Sequence, residues 1–348
     1  MGLFILRRVG VMLLTALCLT FIVFLLTNLS PNLEKLAKNQ ANNRMSDEQV
    51  VTWLDSRGYL DPLPLKYARW LGVAPAYTRE EGGEVVYSRC ATPGIEPSEA
   101  PSFCGVLQGS WGFSTVFRAD VLEILGERGW QTAKLMFFVM LVMVPGALIL
   151  GVLAGMKEGS KLDRSLSTVS IATTATPEYV SGVIFIAVFA SSAVGLRWFK
   201  GTATSAMENI TFENFTLPVL TIALYGMGYI ARMTRASMTE VMTAQYIRTA
   251  RLKGVEFRTI VLRHALRNAL IAPFTVIMLQ FPWLLNGVVI VETLFNYKGF
   301  GWTLVQAAGN NDIDLLLGVS IISVVVVLVT QLISDIGYVF LNPRIRMA

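Results

Sequence analysis

The amino-acid sequence predicts an all-α membrane protein with six transmembrane helices and a large hydrophilic insertion between the first and the second. Of the 348 residues, 53% are hydrophobic and only 15% are charged, a composition typical of membrane proteins. Six apolar runs are long enough to cross ~30 Å of hydrocarbon, which takes about 20 helical residues. We place them at residues 9–29, 131–156, 165–194, 215–233, 269–291 and 313–340.

The first run is interpreted as an N-terminal anchor helix within residues 1–30. It is too long for a cleaved signal sequence, and it ends at residues 28–31 (NLSP) without a small-residue cleavage site. Positively charged loops stay in the cytoplasm, so the basic clusters set the orientation. These clusters are Arg7 and Arg8, residues 157–164, residues 232–267, and Arg344 with Arg346. All four agree, which predicts cytoplasmic amino and carboxyl termini. The net charge of +5 follows from this asymmetry and does not indicate nucleic-acid binding.

Residues 31–129 form the insertion, which this topology places outside the cell membrane. Ser46 with Gln49 is the pattern of a capped helix, and Asp61-Pro62 precedes a second helical stretch that ends near Leu71. A strand is expected at residues 84–87. An extracytoplasmic compartment permits a disulfide between Cys90 and Cys104, and two unrelated thiols are the alternative. Cys18, in the first span, is expected to be buried filler.

The segment 239–268 is the one substantial predicted cytoplasmic surface. Its basic residues are Arg248, Arg251, Lys253, Arg258, Arg263 and Arg267, against only Glu240 and Glu256. A helix is predicted from Met242 to Lys253, with an apolar stripe of Met242, Tyr246, Ile247 and Ala250. Gly254 stands where a left-handed helix stop is expected, followed by the apolar Val255. An ordinary positively charged loop is the alternative interpretation.

The sequence of this segment resembles a known coupling region. The run YIRTARLKGV, followed by RHALRNALIAP, is similar to ABC-importer permeases of the dipeptide/oligopeptide/nickel family. The importer pattern there is Glu-Ala-Ala, three residues, then Gly. Here Arg248, Thr249 and Ala250 take the first three places and Gly254 takes the last. The departure from Glu-Ala-Ala is usual for this branch of the family.

The resemblance covers nearly the whole chain. The matching stretches are residues 4–8, 109–114, 285–287, 291–295, 298–301, 311–312, 335–338 and 342–346. Ser110, Trp111 and Asn342 depart from the residues that the family usually carries.

The resemblance implies a type I ABC-importer permease fold, with residues 130–348 as a five-helix core that carries the coupling segment. It also implies a first-permease (B-type) subunit in a bacterial inner membrane, importing peptides or related small solutes. The expected partners are a second homologous permease, two ATPase subunits that bind ATP and Mg, and an extracytoplasmic binding protein. The implied ATPase-coupling residues are Tyr246, Ile247, Arg248, Thr249, Ala250, Arg251, Lys253 and Gly254.

Catalytic and metal chemistry is not indicated. The single histidine, His264, excludes a multi-histidine metal site. No phosphate-binding G-x-x-x-x-G-K-[ST] run occurs, so ATP hydrolysis of that type would have to come from a partner. No metal site and no catalytic residue are predicted. A non-catalytic subunit is therefore expected, and a membrane-embedded hydrolase is disfavoured.

Polar residues within the predicted spans are candidates for a translocation path. Thr176, Pro177 and Glu178 lie in the third span, where the proline can kink the helix. Glu178 is either beside a water-filled path or a structural carboxylate between helices. In the fifth span, Gln280 and Asn286 suit a polar path or helix packing equally, and Glu292 near its outer end is a candidate gate.

A secondary transporter or a channel without ATPase partners is the chief alternative function. Such a protein is expected to have internal inverted repeats and a buried ion site. Neither is recognisable in this sequence, which favours the importer.

Overall fold

The computed structural model describes residues 2–40, 44–76, 78–81, 84–87, 101–192 and 196–341. In this part the chain is mostly helical. The helices are α1 Gly2–Thr27, α2 Ser30–Gln40, α3 Asp47–Ser56, α4 Leu63–Leu71, α5 Val121–Gly155, α6 Lys161–Ala175, α7 Glu178–Phe185, α8 Phe212–Thr243, α9 Gln245–Leu252, α10 Phe257–Thr259, α11 Leu266–Ala269, α12 Ile271–Leu294, α13 Phe300–Gly309 and α14 Ile313–Leu341. Two antiparallel pairs of short strands are β1 Thr78–Glu81 with β2 Glu84–Tyr87, and β3 Phe113–Ser114 with β4 Ala119–Asp120.

Four helices are long and apolar enough to cross a membrane. They are Leu6–Thr27, Val121–Gly155, Phe212–Thr243 and Ile313–Gly337, which correspond to the first, second, fourth and sixth predicted spans. The third and fifth predicted spans are each a pair of helices with a sharp bend, 102° between Lys161–Ala175 and Glu178–Ala190 and 51° between Phe257–Ala269 and Ile271–Gln280. The described chain therefore has four candidate spans, or up to six if each bent pair crosses once.

Several predicted boundaries differ from those in the structure. Helix α5 begins at Val121, ten residues before the predicted start at Gln131. Its first turns are buried, with Val121 fully covered and Ile124 and Leu125 each 5% exposed, so packing extends the helix beyond the apolar run. Helices α2 and α13 have too little apolar length to be recognised as spans, and the sequence reading missed both.

The chain divides into two compact units, of which the first comprises Met1–Arg128 and Thr303–Val325. Its core is rich in aromatic rings, with Tyr67 and Trp70 of α4 packed against Phe24 of α1. The two helices predicted in the insertion are confirmed as α3 and α4. Ser46 and Gln49 form a reciprocal capping box at the start of α3, and α4 follows Pro62. The predicted strand at residues 84–87 is β2.

Within this first unit, Asp312 fastens the β3–β4 turn to the start of α14. Its Oδ2 accepts hydrogen bonds from the Ser114 hydroxyl at 2.6 Å and the Val116 amide at 3.2 Å, while its Oδ1 accepts from the Leu315 amide at 3.2 Å. Gly112 is required nearby, because a methyl group there would lie 2.5 Å from the Asp314 carboxyl carbon. Two of the stretches singled out in the sequence, residues 109–114 and 311–312, are thus brought together.

The second unit comprises Gly129–Trp302 and Val326–Ala348. Helix α8 is its centre and contacts α6, α7 and α12. Glycines allow the helices to approach closely: a methyl group on Gly151 of α5 would lie 2.6 Å from the Ala231 carbonyl oxygen of α8. The fully buried Leu217, Ile222 and Ile230 place one side of α8 in the main apolar core.

Candidate functional site

The predicted coupling helix is interrupted at Ala244. We expected one helix from Met242 to Lys253, and this is wrong: α8 continues to Thr243, Ala244 is extended with ψ 148°, and α9 begins at Gln245. The Ala244 carbonyl starts the new helix by accepting from the amides of Ile247 at 3.1 Å and Arg248 at 3.2 Å. The break allows Met242 and Ile247 to be buried in the same cluster from two different helices.

Helix α9 ends at the predicted glycine stop. Gly254 has φ +75°, its amide donates to the Arg251 carbonyl at 3.0 Å, and the Val255 amide donates to the Ala250 carbonyl at 3.2 Å. This pair of bonds is the Schellman motif, which satisfies the last carbonyl groups of a helix. Val255 packs against the apolar cluster below α9. The predicted stop is therefore confirmed.

Helix α9 is attached to the second unit mainly through Ile247. The Ile247 side chain is fully buried, and Ala250 is half-buried beside it. We call the buried apolar set around them the α9 cluster; it consists of Met238, Met242, Ile247, Ile260, Val261, Ala265 and Ala269. The last four belong to the returning segment, in which residues 260–265 form a π-helical turn before α11. The cluster thus joins α9 to the end of α8 and to the helices that follow.

The other side chains of α9 point to solvent. Arg248, Thr249, Arg251 and Lys253 are exposed, and Leu252 is 82% exposed. Helix α9 contains no acidic residue. Its free face is therefore cationic with one apolar side chain, which suits an acidic or polar partner surface.

Tyr246 does not belong to the buried stripe in which the sequence placed it. It is 44% exposed, and its hydroxyl accepts a hydrogen bond of 2.9 Å from the Asn268 amide. The buried face of α9 is consequently narrower than the four-residue stripe that the sequence predicts. His264, in the returning segment, is exposed.

The predicted kink at Pro177 is a complete helix break. Thr176 is extended (ψ 119°) and ends α6, while Pro177 precedes the first residue of α7, Glu178. The proline has no N–H to continue the first helix, and the 102° bend follows from it. Thr176 and Glu178 are half-exposed and Pro177 is exposed.

Gln280 and Glu292 are both buried in α12, in different surroundings. Gln280 is 7% exposed, and its Nε2 has no hydrogen-bond partner among the described residues. Glu292 is fully buried. The Asn286 side chain lies outside the described residues, as does Cys90 of the predicted disulfide. Cys104 is 8% exposed, and Cys18 is a free, exposed thiol rather than buried filler.

The Glu292 carboxyl group lies at the amino end of α13. It accepts hydrogen bonds from the Thr132 hydroxyl and from the Trp302 amide, the latter at 2.9 Å. Thr132 in turn accepts from the Phe300 amide at 2.7 Å. The first amides of a helix have no partner within the helix, and this carboxyl group supplies one. The sequence reading missed Thr132, which is 160 positions away and carries no local signal.

The predicted path residues do not form one polar cluster in the described part of the chain. Glu178, Gln280 and Glu292 make no hydrogen bonds with one another there. Helices α7 and α12 are nevertheless adjacent, since a methyl group on Gly182 would lie 2.4 Å from the Leu294 side chain.

Comparison with known proteins gives the family. Residues 147–347 match the family described as binding-protein-dependent transport system inner membrane component. A probable peptide ABC transporter permease of Sinorhizobium fredii is 29% identical over 99% of this chain and 100% of its own length. The dipeptide transport system permease protein of Haemophilus influenzae is 32% identical over 69% of this chain and 78% of its own. The oligopeptide transport system permease protein of Bacillus subtilis is 28% identical over 99% and 100%.

The family match covers more than half of the chain and includes α9, the Pro177 break and α12. The cationic helix, the several long apolar helices and the similarity to three permeases are all consistent with this family. The chain belongs to the inner-membrane permease family of binding-protein-dependent ABC importers.

Proposed function

We propose that this permease imports peptides or related small solutes, and that α9 transmits the movement of partner ATPases to its membrane helices. One observation carries the coupling role: α9 is attached through the buried Ile247 while its cationic side chains are exposed. A helix attached in this way can bind a partner through its exposed side chains while its buried contact stays intact. The names of the relatives support peptides as the substrate class.

The proposed assembly contains a second homologous permease, two ATPase subunits that bind ATP and Mg, and an extracytoplasmic binding protein. Six spans, with the two bent pairs crossing once each, would return both termini to the cytoplasm of a bacterial inner membrane. The positively charged loops support this orientation. Closure of the ATPases would displace α9 and switch the permease between inward- and outward-open states.

The proposed translocation path runs beside the break at Thr176 and Pro177, with Glu178 and Gln280 among its polar groups. The Gln280 Nε2 is buried and has no hydrogen-bond partner in the described part of the chain, which supports a polar contact that another molecule completes. The proposed roles of Asn286 in the path and of Glu292 as a gate rest on the sequence alone. The dense hydrogen bonding of Glu292 fits a structural carboxyl group.

Two substitutions test the coupling role. Arg251→Glu reverses one exposed charge, and Gly254→Pro removes both the +75° φ and the amide that closes α9. Both are expected to abolish ATPase co-purification and binding-protein-stimulated ATP hydrolysis while leaving membrane insertion intact. Lys35→Glu, which reverses an exposed charge on α2, is the matched control and should behave like the unmodified chain. Normal assembly and hydrolysis in both α9 variants would refute the proposal.

The disulfide between Cys90 and Cys104 is a separate proposal for the external segment. It would stabilise that segment by about 3 kcal/mol on the loop-entropy view. A reductant is expected to increase proteolysis between residues 31 and 120 without affecting the spans, and Cys90→Ser should reproduce this effect. Equal proteolysis with and without reductant would argue against the bond.

A further inference from the structure

An ion pair between the buried Asp163 of α6 and the half-buried Arg235 of α8 takes no part in the site described above. Asp163, in the first turn of α6, is 2% exposed. Its Oδ1 accepts from Arg235 Nε at 2.5 Å and its Oδ2 from Arg235 Nη2 at 2.8 Å. The Gly159 amide at 2.9 Å and the Ser167 hydroxyl at 3.1 Å also donate to this carboxylate. A planar guanidinium bound at two points fixes direction as well as distance.

Arg235 lies on the same helix as part of the α9 cluster. It precedes Met238 by three positions on α8, and both Met238 and Met242 are buried in that cluster beside Ile247. Because α8 is continuous to Thr243, a displacement of the cluster also moves the guanidinium group. The bidentate pair then transfers that displacement to Asp163 and α6.

Helix α6 contacts α8 at a second point, farther from α9. A methyl group on Gly228 would lie 2.6 Å from the Ser170 carbonyl oxygen. Asp163 and Ser170 are seven positions apart on α6, as are Gly228 and Arg235 on α8, which is about two turns of each helix. Asp163 meets Arg235 and Ser170 meets Gly228, so the two contact points hold α6 antiparallel to this half of α8.

Helix α7, beyond the break at residues 176–177, is attached to a different part of α8. A methyl group on Gly182 would lie 3.2 Å from the Thr221 side chain of α8 and 2.4 Å from Leu294 of α12. Gly226 and Gly228 separate Thr221 from Arg235 along α8, and helices bend most readily where glycines are close together. The half of α8 that carries Arg235 can therefore tilt with α6, while the other half stays with α7.

We propose that the Asp163–Arg235 pair is the joint through which movement of α9 changes the angle at the 176–177 break. The inference rests on the coupling function proposed above and adds a positioning pair to it. The pair holds α6 to the moving half of α8, so that displacement of the α9 cluster is converted into a change of the 102° bend. Neither residue touches an ATPase or the substrate in this role.

Spin labels on either side of the break measure this angle directly. Lys161→Cys on α6 and Tyr179→Cys on α7 are both exposed positions, and Cys18→Ser removes the free thiol. The distance between the labels is compared in the assembled complex without nucleotide and after trapping with ATP, Mg and vanadate. Arg235→Lys keeps the charge but cannot form the planar, two-point bond of the guanidinium group. We expect it to leave the nucleotide-free distance unchanged and to reduce the trapping-induced shift to less than half.

Controls separate a joint from a merely structural contact. Arg232→Lys, an exposed arginine one turn earlier on α8, should retain the full shift. Adding Asp163→Asn to Arg235→Lys should reduce the shift little further, because the two residues act as one contact. A full shift in Arg235→Lys would overturn the inference, and so would an altered nucleotide-free distance, which indicates a structural role. If Arg251→Glu and Gly254→Pro also assemble and hydrolyse ATP normally, the coupling proposal itself fails; if only Arg235→Lys is without effect, the joint alone fails.

Discussion

Helix α9 and the segment from Glu292 to Trp302 are both polar regions of the second unit, but they satisfy their polar groups differently. In the Glu292 segment, donors and acceptors pair within the chain, and Glu292, Phe295 and Tyr297 are fully buried. Helix α9 buries one large side chain and exposes its cations. Internal pairing stabilises the Glu292 segment, whereas the exposed cations of α9 stay available for the partner that we propose.

Removing the Glu292 carboxyl group should have the largest effect on stability. Glu292→Ala leaves the Thr132 hydroxyl and the Trp302 amide without their acceptor in a buried site, which should lower the free energy of unfolding by about 3 kcal/mol. Thermal unfolding of the detergent-solubilised protein measures this loss. The matched control is Glu240→Ala, an exposed carboxylate near the end of α8, with an expected change below about 0.5 kcal/mol. Equal melting of the two variants would show that the segment does not depend on this carboxyl group.

Filling the space at Gly299 should have the next largest effect. A methyl group there would lie 2.2 Å from Glu292 Oε1 and 2.5 Å from Thr132 Oγ1, so Gly299→Ala should cost about 2 kcal/mol by overpacking. Gly309→Ala serves as the control, because no atom of the residues that the structure describes lies within 4 Å of its added methyl group. If Gly299→Ala melts at the same temperature as Gly309→Ala, the Glu292 segment accommodates the added methyl group at little cost.

The smallest effect is expected at Gly254, where the constraint is conformational. Among the described residues no atom lies within 4 Å of an added methyl group, but φ is +75°, so Gly254→Ala should cost about 1 kcal/mol through left-handed strain. The prediction is a loss of ATPase association of about fivefold, with a fall in melting temperature smaller than that of Gly299→Ala. Gly254→Asn should lose less, because asparagine tolerates this conformation. A loss with asparagine as large as with alanine would point to contact with the partner instead.

The sequence predicted features whose signal is local. The glycine stop of α9 and the Ser46–Gln49 capping box each depend on residues within one or two turns. The break at Pro177 follows from covalent structure, although its 102° angle depends on packing. These features could be recognised without knowing the rest of the fold.

The remaining features depend on contacts between distant residues. Ala244 is neither glycine nor proline, so the interruption between α8 and α9 has no local signal and arises from burial of Met242 and Ile247 in one cluster. Thr132 and Glu292 are 160 positions apart. Tyr246 fits the helical period of the apolar stripe, but it is exposed because the neighbouring helices cover only Ile247 and Ala250.

The bond between Ser114 and Asp312 bears on how this insertion could be exchanged among relatives. The loop that carries Ser114 depends on a carboxylate encoded 198 positions later, just before α14. A chimera that received only residues 31–129 from a relative would combine that relative's β3–β4 turn with Asp312 of this chain. The transferred insertion would keep its own hydrogen bond between positions 114 and 312 only if residues 303–325 were exchanged together with it. The smallest exchangeable module is therefore discontinuous in the gene.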